Sequence, residues 1–149
     1  PQPLLAVGGH MKGSIALAWD DRVVVSPHIG EMDNPRSLAV FEQVAADLQR
    51  LYRVRATRLA CDAHPGYATH RWARQQRELP VSTVWHHRAH ASALVAEHAG
   101  EAQWLVFTWD GVGLGEDGTL WGGEALYGTP GGWQRQRVRW APPDHPMHH

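Results

Sequence analysis

The sequence predicts an α/β fold whose opening lobe runs strand-strand-strand-helix-strand-helix-strand-helix. Short apolar runs stand between turn residues, as buried strands do, and three longer segments read as helices, the first with apolar residues near a 3.6-residue period. After Gly100 the opening pattern of apolar strand, glycine turn and apolar strand begins again.

Residues 4–7 (Leu-Leu-Ala-Val) form a buried-type strand that stops at Gly8-Gly9. Residues 14–19 form a second strand, and Asp20-Asp21 turns the chain into a third over 22–26. Asn34-Pro35 supplies an N-cap and an N1 proline. The helix that follows, from Pro35 to Tyr52, carries apolar residues at Leu38, Phe41, Val44, Ala45, Leu48 and Leu51. Residues 58–62 read as a buried strand, 67–78 as a helix, 81–85 as a strand and 87–99 as a helix. Beyond Gly100, 104–109 is a strand, 110–118 a glycine-rich turn, 119–127 a returning strand, and 134–140 a third. Such a duplicated order marks the actin/hexokinase/Hsp70-like, ribonuclease H-like ATPase fold, in which a nucleotide lies between two lobes. The chain is thus read as a first lobe over 1–100 and the incomplete start of a second over 101–149.

Composition narrows the classes. The 149 residues are 43% hydrophobic with a formal charge of −1, so the basic excess that marks nucleic-acid binding is missing. No apolar run approaches membrane-spanning length. The single cysteine, Cys61, lies in an apolar run, which predicts a buried thiol without disulfides and fits the reducing cytoplasm. The chain opens at Pro1 without a methionine, and it is expected to be a piece of something longer.

Eleven histidines are many for this length, and some are clustered. In Trp85-His86-His87-Arg88-Ala89-His90, His86 and His90 stand four apart, so on a helix they share one face and can share one metal ion. Asp110, at the end of an apolar run, would add a carboxylate. The alternative is a histidine-rich segment that only caps a helix or sits in solvent. His87 points elsewhere on the helix, either behind the ligands or exposed. The glycines after Asp110 would let backbone approach a ligand, or they make a plain hairpin in which they supply positive φ angles.

Five motifs, in order, then carry a family likeness: Gly8-Gly9-His10-Met11-Lys12, residues 26–32 (Ser-Pro-His-Ile-Gly-Glu-Met), Asp62-Ala63-His64-Pro65-Gly66-Tyr67, His86-His87-Arg88-Ala89-His90, and Asp110-Gly111-Val112-Gly113 through Gly118 to Glu124. Together they resemble the carbamoyltransferase domain of the HypF family of nickel–iron hydrogenase maturation proteins, which is related to tRNA threonylcarbamoyl transferases. The likeness runs from Leu4 to about Trp140. It implies that carbamoyl phosphate is the upstream substrate, that ATP converts its carbamoyl group to carbamoyl-adenylate, and that the group passes to the C-terminal cysteine of a HypE-like partner, later to become a cyanide ligand. It implies that His86, His90 and Asp110 hold a divalent metal, zinc or iron. Against the family pattern, His10 replaces an acidic residue and Gly13 an asparagine.

The likeness also gives roles to other positions. Asp62 and His64 would line the carbamoyl pocket as catalytic residues, with His28 reaching the same pocket; alternatively Asp62 caps a turn and Pro65 starts a helix. Lys12, Gly111, Gly113 and Gly115 would face the nucleotide phosphates; alternatively Lys12 is solvated and the glycines shape a hairpin. Glu124 would orient a ligand or end a strand. Trp19, Trp104, Trp109 and Trp140 are expected in the core. Two other functions are carried beside this one, a tRNA threonylcarbamoyl transferase and a non-catalytic nucleotide- or partner-binding module. With the second lobe incomplete, the chain alone is expected to lack transfer activity and to self-associate.

Overall fold

A computed structural model describes residues 2–136 apart from Lys12, Asp33 and Ala99. The phosphate role expected of Lys12, the core role expected of Trp140 and the last residues of the strand expected over 134–140 therefore lie outside the described residues. Contacts divide the chain into two compact units, one of residues up to His86 with Leu114–Thr119, the other of His87–Gly113 and the residues from Leu120 onward.

The first unit begins with β1 (Leu4–Val7), β2 (Ile15–Trp19) and β3 (Arg22–Val25). They form an antiparallel meander, with Leu5 opposite Leu17 and Leu17 opposite Val24. Asp20, at φ 48°, takes the left-handed turn position between β2 and β3. Helix α1 (Pro35–Tyr52) starts where Asn34 accepts a hydrogen bond from the Arg36 amide and Pro35 opens the first turn. Strand β4 (Arg58–Asp62) then pairs in parallel with β1, helix α2 (Ala68–Gln75) follows, and β5 (Val81–Val84) pairs in parallel with β4. The sheet order is β3-β2-β1-β4-β5, so β1 and β4 are interior strands.

Alternation along these strands sends Leu5, Val7, Ile15, Leu17, Leu59 and Cys61 into one core, against Phe41, Ala45 and Leu48 of α1 and Ala68 and Ala73 of α2. Phe41 is 1% exposed and meets Trp72 edge-on, with ring centroids 5.0 Å apart. Leu51, expected on the buried face of α1, is 71% exposed.

Helix α3 (His86–Glu97) carries the unit boundary after its first residue. The second unit holds a sheet of order β10-β9-β6, built from β6 (Trp104–Thr108), β9 (Glu124–Gly128) and β10 (Gln134–Gln136), all antiparallel. A short pair, β7 (Gly113–Leu114) and β8 (Leu120–Trp121), lies between β6 and β9 in the sequence. The strand expected over 119–127 is thus two strands, broken at Gly122-Gly123. A small core of Val106, Trp121, Leu126 and Trp133 packs around Ala91 of α3. Trp109, expected in the core, is 89% exposed, because it falls on the same outward parity as Leu105 and Phe107, opposite to the buried Val106 and Thr108. Among the described residues the buried tryptophans are Trp121 and Trp133, the latter donating its indole N–H to the Ser92 hydroxyl at 2.9 Å.

Candidate metal centre

Two adjacent parallel strands aim their C-terminal ends the same way, and the register pairs Asp62 with Val84. The residue two beyond Val84 is His86, the first of α3, so the end of β4 and the start of α3 are neighbours. The Nδ1–H of His86 donates to Asp62 Oδ2 at 2.9 Å. The other carboxylate oxygen, Oδ1, accepts from the His64 backbone N–H at 2.8 Å, an Asx-type turn that reverses the chain out of β4. Asp62 is buried, 9% exposed, and its own carbonyl accepts from His70 Nδ1 at 2.8 Å.

The His64 ring is fixed twice. Its Nδ1 accepts from the Gly66 amide at 3.0 Å, and it stacks on Tyr67 with centroids 4.2 Å apart and planes 4° from parallel. A Cβ at Gly66 would come within 2.9 Å of this ring, which explains the glycine. Tyr67 also stacks on His10, at 5.4 Å. The Gly8-Gly9 loop closes over the same place: Thr69 donates its hydroxyl to the Gly8 carbonyl at 2.8 Å, and a Cβ on Gly9 would stand 3.6 Å from the His86 ring and 3.8 Å from Asp62 Oδ2. Asp62 thus caps the turn, as one sequence alternative had it, and the same side chain also holds His86. Pro65 does not start α2; Tyr67 is its N-cap and Ala68 its first residue.

One turn along α3 stands His90, on the same face as His86. Asp110 follows β6 by two residues, and one of its oxygens accepts from the Gly111 amide at 2.7 Å. His86, His90 and Asp110 each offer a ligand atom within 4.8 Å of the others. Two imidazoles and a carboxylate at such separations suit a divalent transition ion and leave positions open, so the donor set fits a metal. His90 and Asp110 also line a cavity of about 210 Å³ with Leu94, Val106, Phe107, Thr108 and Trp109.

Of the two alternatives for His87, exposure is overturned. It is 1% exposed, its Nε2–H donates to the Gly122 carbonyl at 2.7 Å, and its ring meets Trp121 edge-on. The glycines after Asp110 form a hairpin. Gly113 lies in β7, the Gly115 amide donates to the Thr119 carbonyl at 2.8 Å, and the positive φ of the turn belongs to Gly118, at 75°. The Gly115 N–H is therefore spent within the hairpin, whereas Gly111 has open space around it. Glu124 opens β9 and makes a two-pronged ion pair with Arg135, whose guanidinium lies 4.4 Å from the Trp121 ring centroid. His28 is exposed on the loop after β3.

Comparison with known proteins gives the family. The HypF Kae1-like domain matches residues 1–97, and the second subdomain of the Kae1-like carbamoyltransferase domain matches residues 106–141. This chain belongs to the HypF family. It is 44% identical over 133 residues to carbamoyltransferase HypF of Synechocystis, covering 89% of this chain and 17% of the relative. It is 37% identical over 126 residues to carbamoyltransferase HypF2 of Cupriavidus necator, covering 83% and 16%. The chain therefore spans about a sixth of the length of these relatives. Full-length HypF in its phosphate- and nucleotide-bound form superposes with a TM-score of 0.84 at 31% identity, over 90% of this chain and 21% of that one. HypF of T. kodakarensis gives 0.77 at 30% identity, over 86% and 17%. YeaZ from Pseudomonas aeruginosa, at 18% identity and a TM-score of 0.57 over 96% and 71%, shares the fold. The actin/hexokinase-like class read from this chain's strand order holds. Among the described residues no helix is long and apolar enough to cross a membrane.

Proposed function

We propose that this chain forms the metal-holding part of a HypF carbamoyltransferase centre in hydrogenase maturation. In this reading it acts on carbamoyl-adenylate made from carbamoyl phosphate and ATP, and the acceptor is the C-terminal cysteine of a HypE-type protein. The observation that carries the reading is the convergence of His86, His90 and Asp110, inside residues that belong to this family. The relative solved with phosphate and nucleotide supports a nucleotide ligand. His86, His90 and Asp110 would hold a divalent ion, zinc or iron, which when bound polarises a phosphate or carbonyl oxygen. Asp110 brings a negative charge that partly offsets the ion. The cavity beside His90 and Asp110 is also lined by Leu94, Val106 and Phe107. His64 and Gly111 remain candidates for contact with the carbamoyl and phosphate groups. The lobe division near residue 100 belongs to the same reading.

The test uses a full-length HypF that carries this sequence, loaded with metal, with carbamoyl transfer to a HypE-type acceptor as the readout. Asp110→Ala is expected to abolish transfer while the protein stays folded. Transfer at the parent rate would refute the assignment.

We also infer that the isolated chain self-associates through a second copy. Leu105 and Phe107 on β6 and Tyr127 on β9 are 54%, 53% and 45% exposed on one sheet face, and among the described residues β6 is hydrogen-bonded only to β9. Sedimentation should show dimers or larger species that Phe107→Lys reduces. A clean monomer at high concentration would contradict this.

A further inference from the structure

We propose that Asp62 is a positioning residue that sets the tautomer of His86 and so presents its Nε2 lone pair to the metal. The proposal rests on the metal reading above. A carboxylate oxygen accepts hydrogen bonds and cannot donate one when ionised. The 2.9 Å contact therefore places the His86 proton on Nδ1. The lone pair is then on Nε2, the nitrogen on the far side of the ring from Asp62. Histidine ligands commonly depend on such an outer partner for ring orientation and basicity.

The carboxylate is well placed to act as a fixed stop. Asp62 ends an interior parallel strand, and its side chain is 7% exposed. Oδ1 is held by the His64 amide, so Oδ2 cannot rotate away from His86 without breaking that bond. The main chain is held from the other side by His70. The His86 side chain is only 28% exposed, and even a Cβ at Gly9 would stand 3.6 Å from its ring. This also accounts for the family motif around Asp62 without a direct contact between Asp62 and substrate.

Asp62→Asn separates the tautomer effect from the structural one. The amide oxygen can still accept from the His64 N–H and keep the turn. The amide NH2 then faces His86 Nδ1, which must accept, and the proton moves to Nε2. The 149-residue chain is titrated with zinc alone at pH 8 against a chromophoric chelator. Asp62→Asn is expected to lose affinity by about 10–100-fold, as outer-partner losses do, with a melting temperature close to the parent. In the metal-free chain, 15N NMR should find His86 protonated on Nδ1 in the parent and on Nε2 in Asp62→Asn. Zinc affinity within twofold of the parent, or a parent His86 protonated on Nε2, would overturn the proposal. If His86→Ala keeps full zinc affinity, the metal reading fails instead, and the NMR result still decides the tautomer.

Discussion

The two units are built very differently. In the first, Leu5, Ile15, Leu17, Phe41 and Leu59 are each at most 2% exposed, and α1 and α2 complete the core. In the second, Val106, Trp121, Leu126 and Trp133 pack on Ala91 of α3, while Leu105, Phe107 and Tyr127 face solvent from the same strands. Asp62 ends the interior strand β4, and His86 follows the edge strand β5 that pairs with it in parallel. Asp110 instead follows the end of β6, next to a tryptophan that is 89% exposed. The contrast teaches that one ligand is pre-oriented by a deep core and another depends on a smaller one. Metal binding should therefore be sensitive to disturbance of the second unit in a way that thermal stability of the first unit is not.

The strongest blow to the contrast is a cavity in the larger core. Phe41→Ala should cost about 3–5 kcal/mol, the usual range for a fully buried phenylalanine. Denaturant unfolding followed by hydrogen exchange of first-unit amides measures it. A loss below about 1 kcal/mol would mean that this core is far looser than its burial shows.

A smaller effect sharpens the picture of the second unit. His87→Ala removes a buried imidazole and orphans the Gly122 carbonyl, at a cost of about 1–3 kcal/mol. Amides of α3 and of residues 120–128 should lose exchange protection, and metal should still bind. Complete loss of metal in this variant would make His87 a ligand and remove the distinction between adjacent histidines.

The smallest effect belongs to pH. Burial pushes the Cys61 thiol above its ordinary value; the nearby Arg74 partly opposes this and Asp62 adds to it. A raised folded-state value means that the folded chain holds this proton more tightly than the unfolded chain. The stabilisation is thus complete below the unfolded thiol value and is lost as pH rises through the folded one. Melting temperatures taken at increasing alkaline pH should fall more steeply in the parent than in Cys61→Ala. Parallel profiles would show that the thiol carries no such linkage.

Much of the first unit was legible because its signals are local. Asn34-Pro35 fixes where α1 begins, and the apolar runs at 4–7 and 58–62 coincide with β1 and β4. The shared face of His86 and His90 was legible for the same reason, since four residues is about one helical turn. What escaped depends on tertiary partners. The break at Gly122-Gly123 presents a carbonyl to His87, 35 residues earlier, and no local pattern reports that. Trp109 was expected in the core because the apolar run continues through it, but it shares the outward face of Leu105 and Phe107, and only the packing of the sheet on one side decides which face is buried. The bond from His86 to Asp62 joins residues 24 apart. It could have been anticipated from two adjacent parallel strands, because their C-terminal ends converge where open α/β sheets place ligands.

The central claim, that His86, His90 and Asp110 form one metal site, is tested most directly by elemental analysis of the purified chain beside His86→Ala. The account predicts one zinc or iron per chain in the parent and none in the variant. Equal metal in both would contradict it.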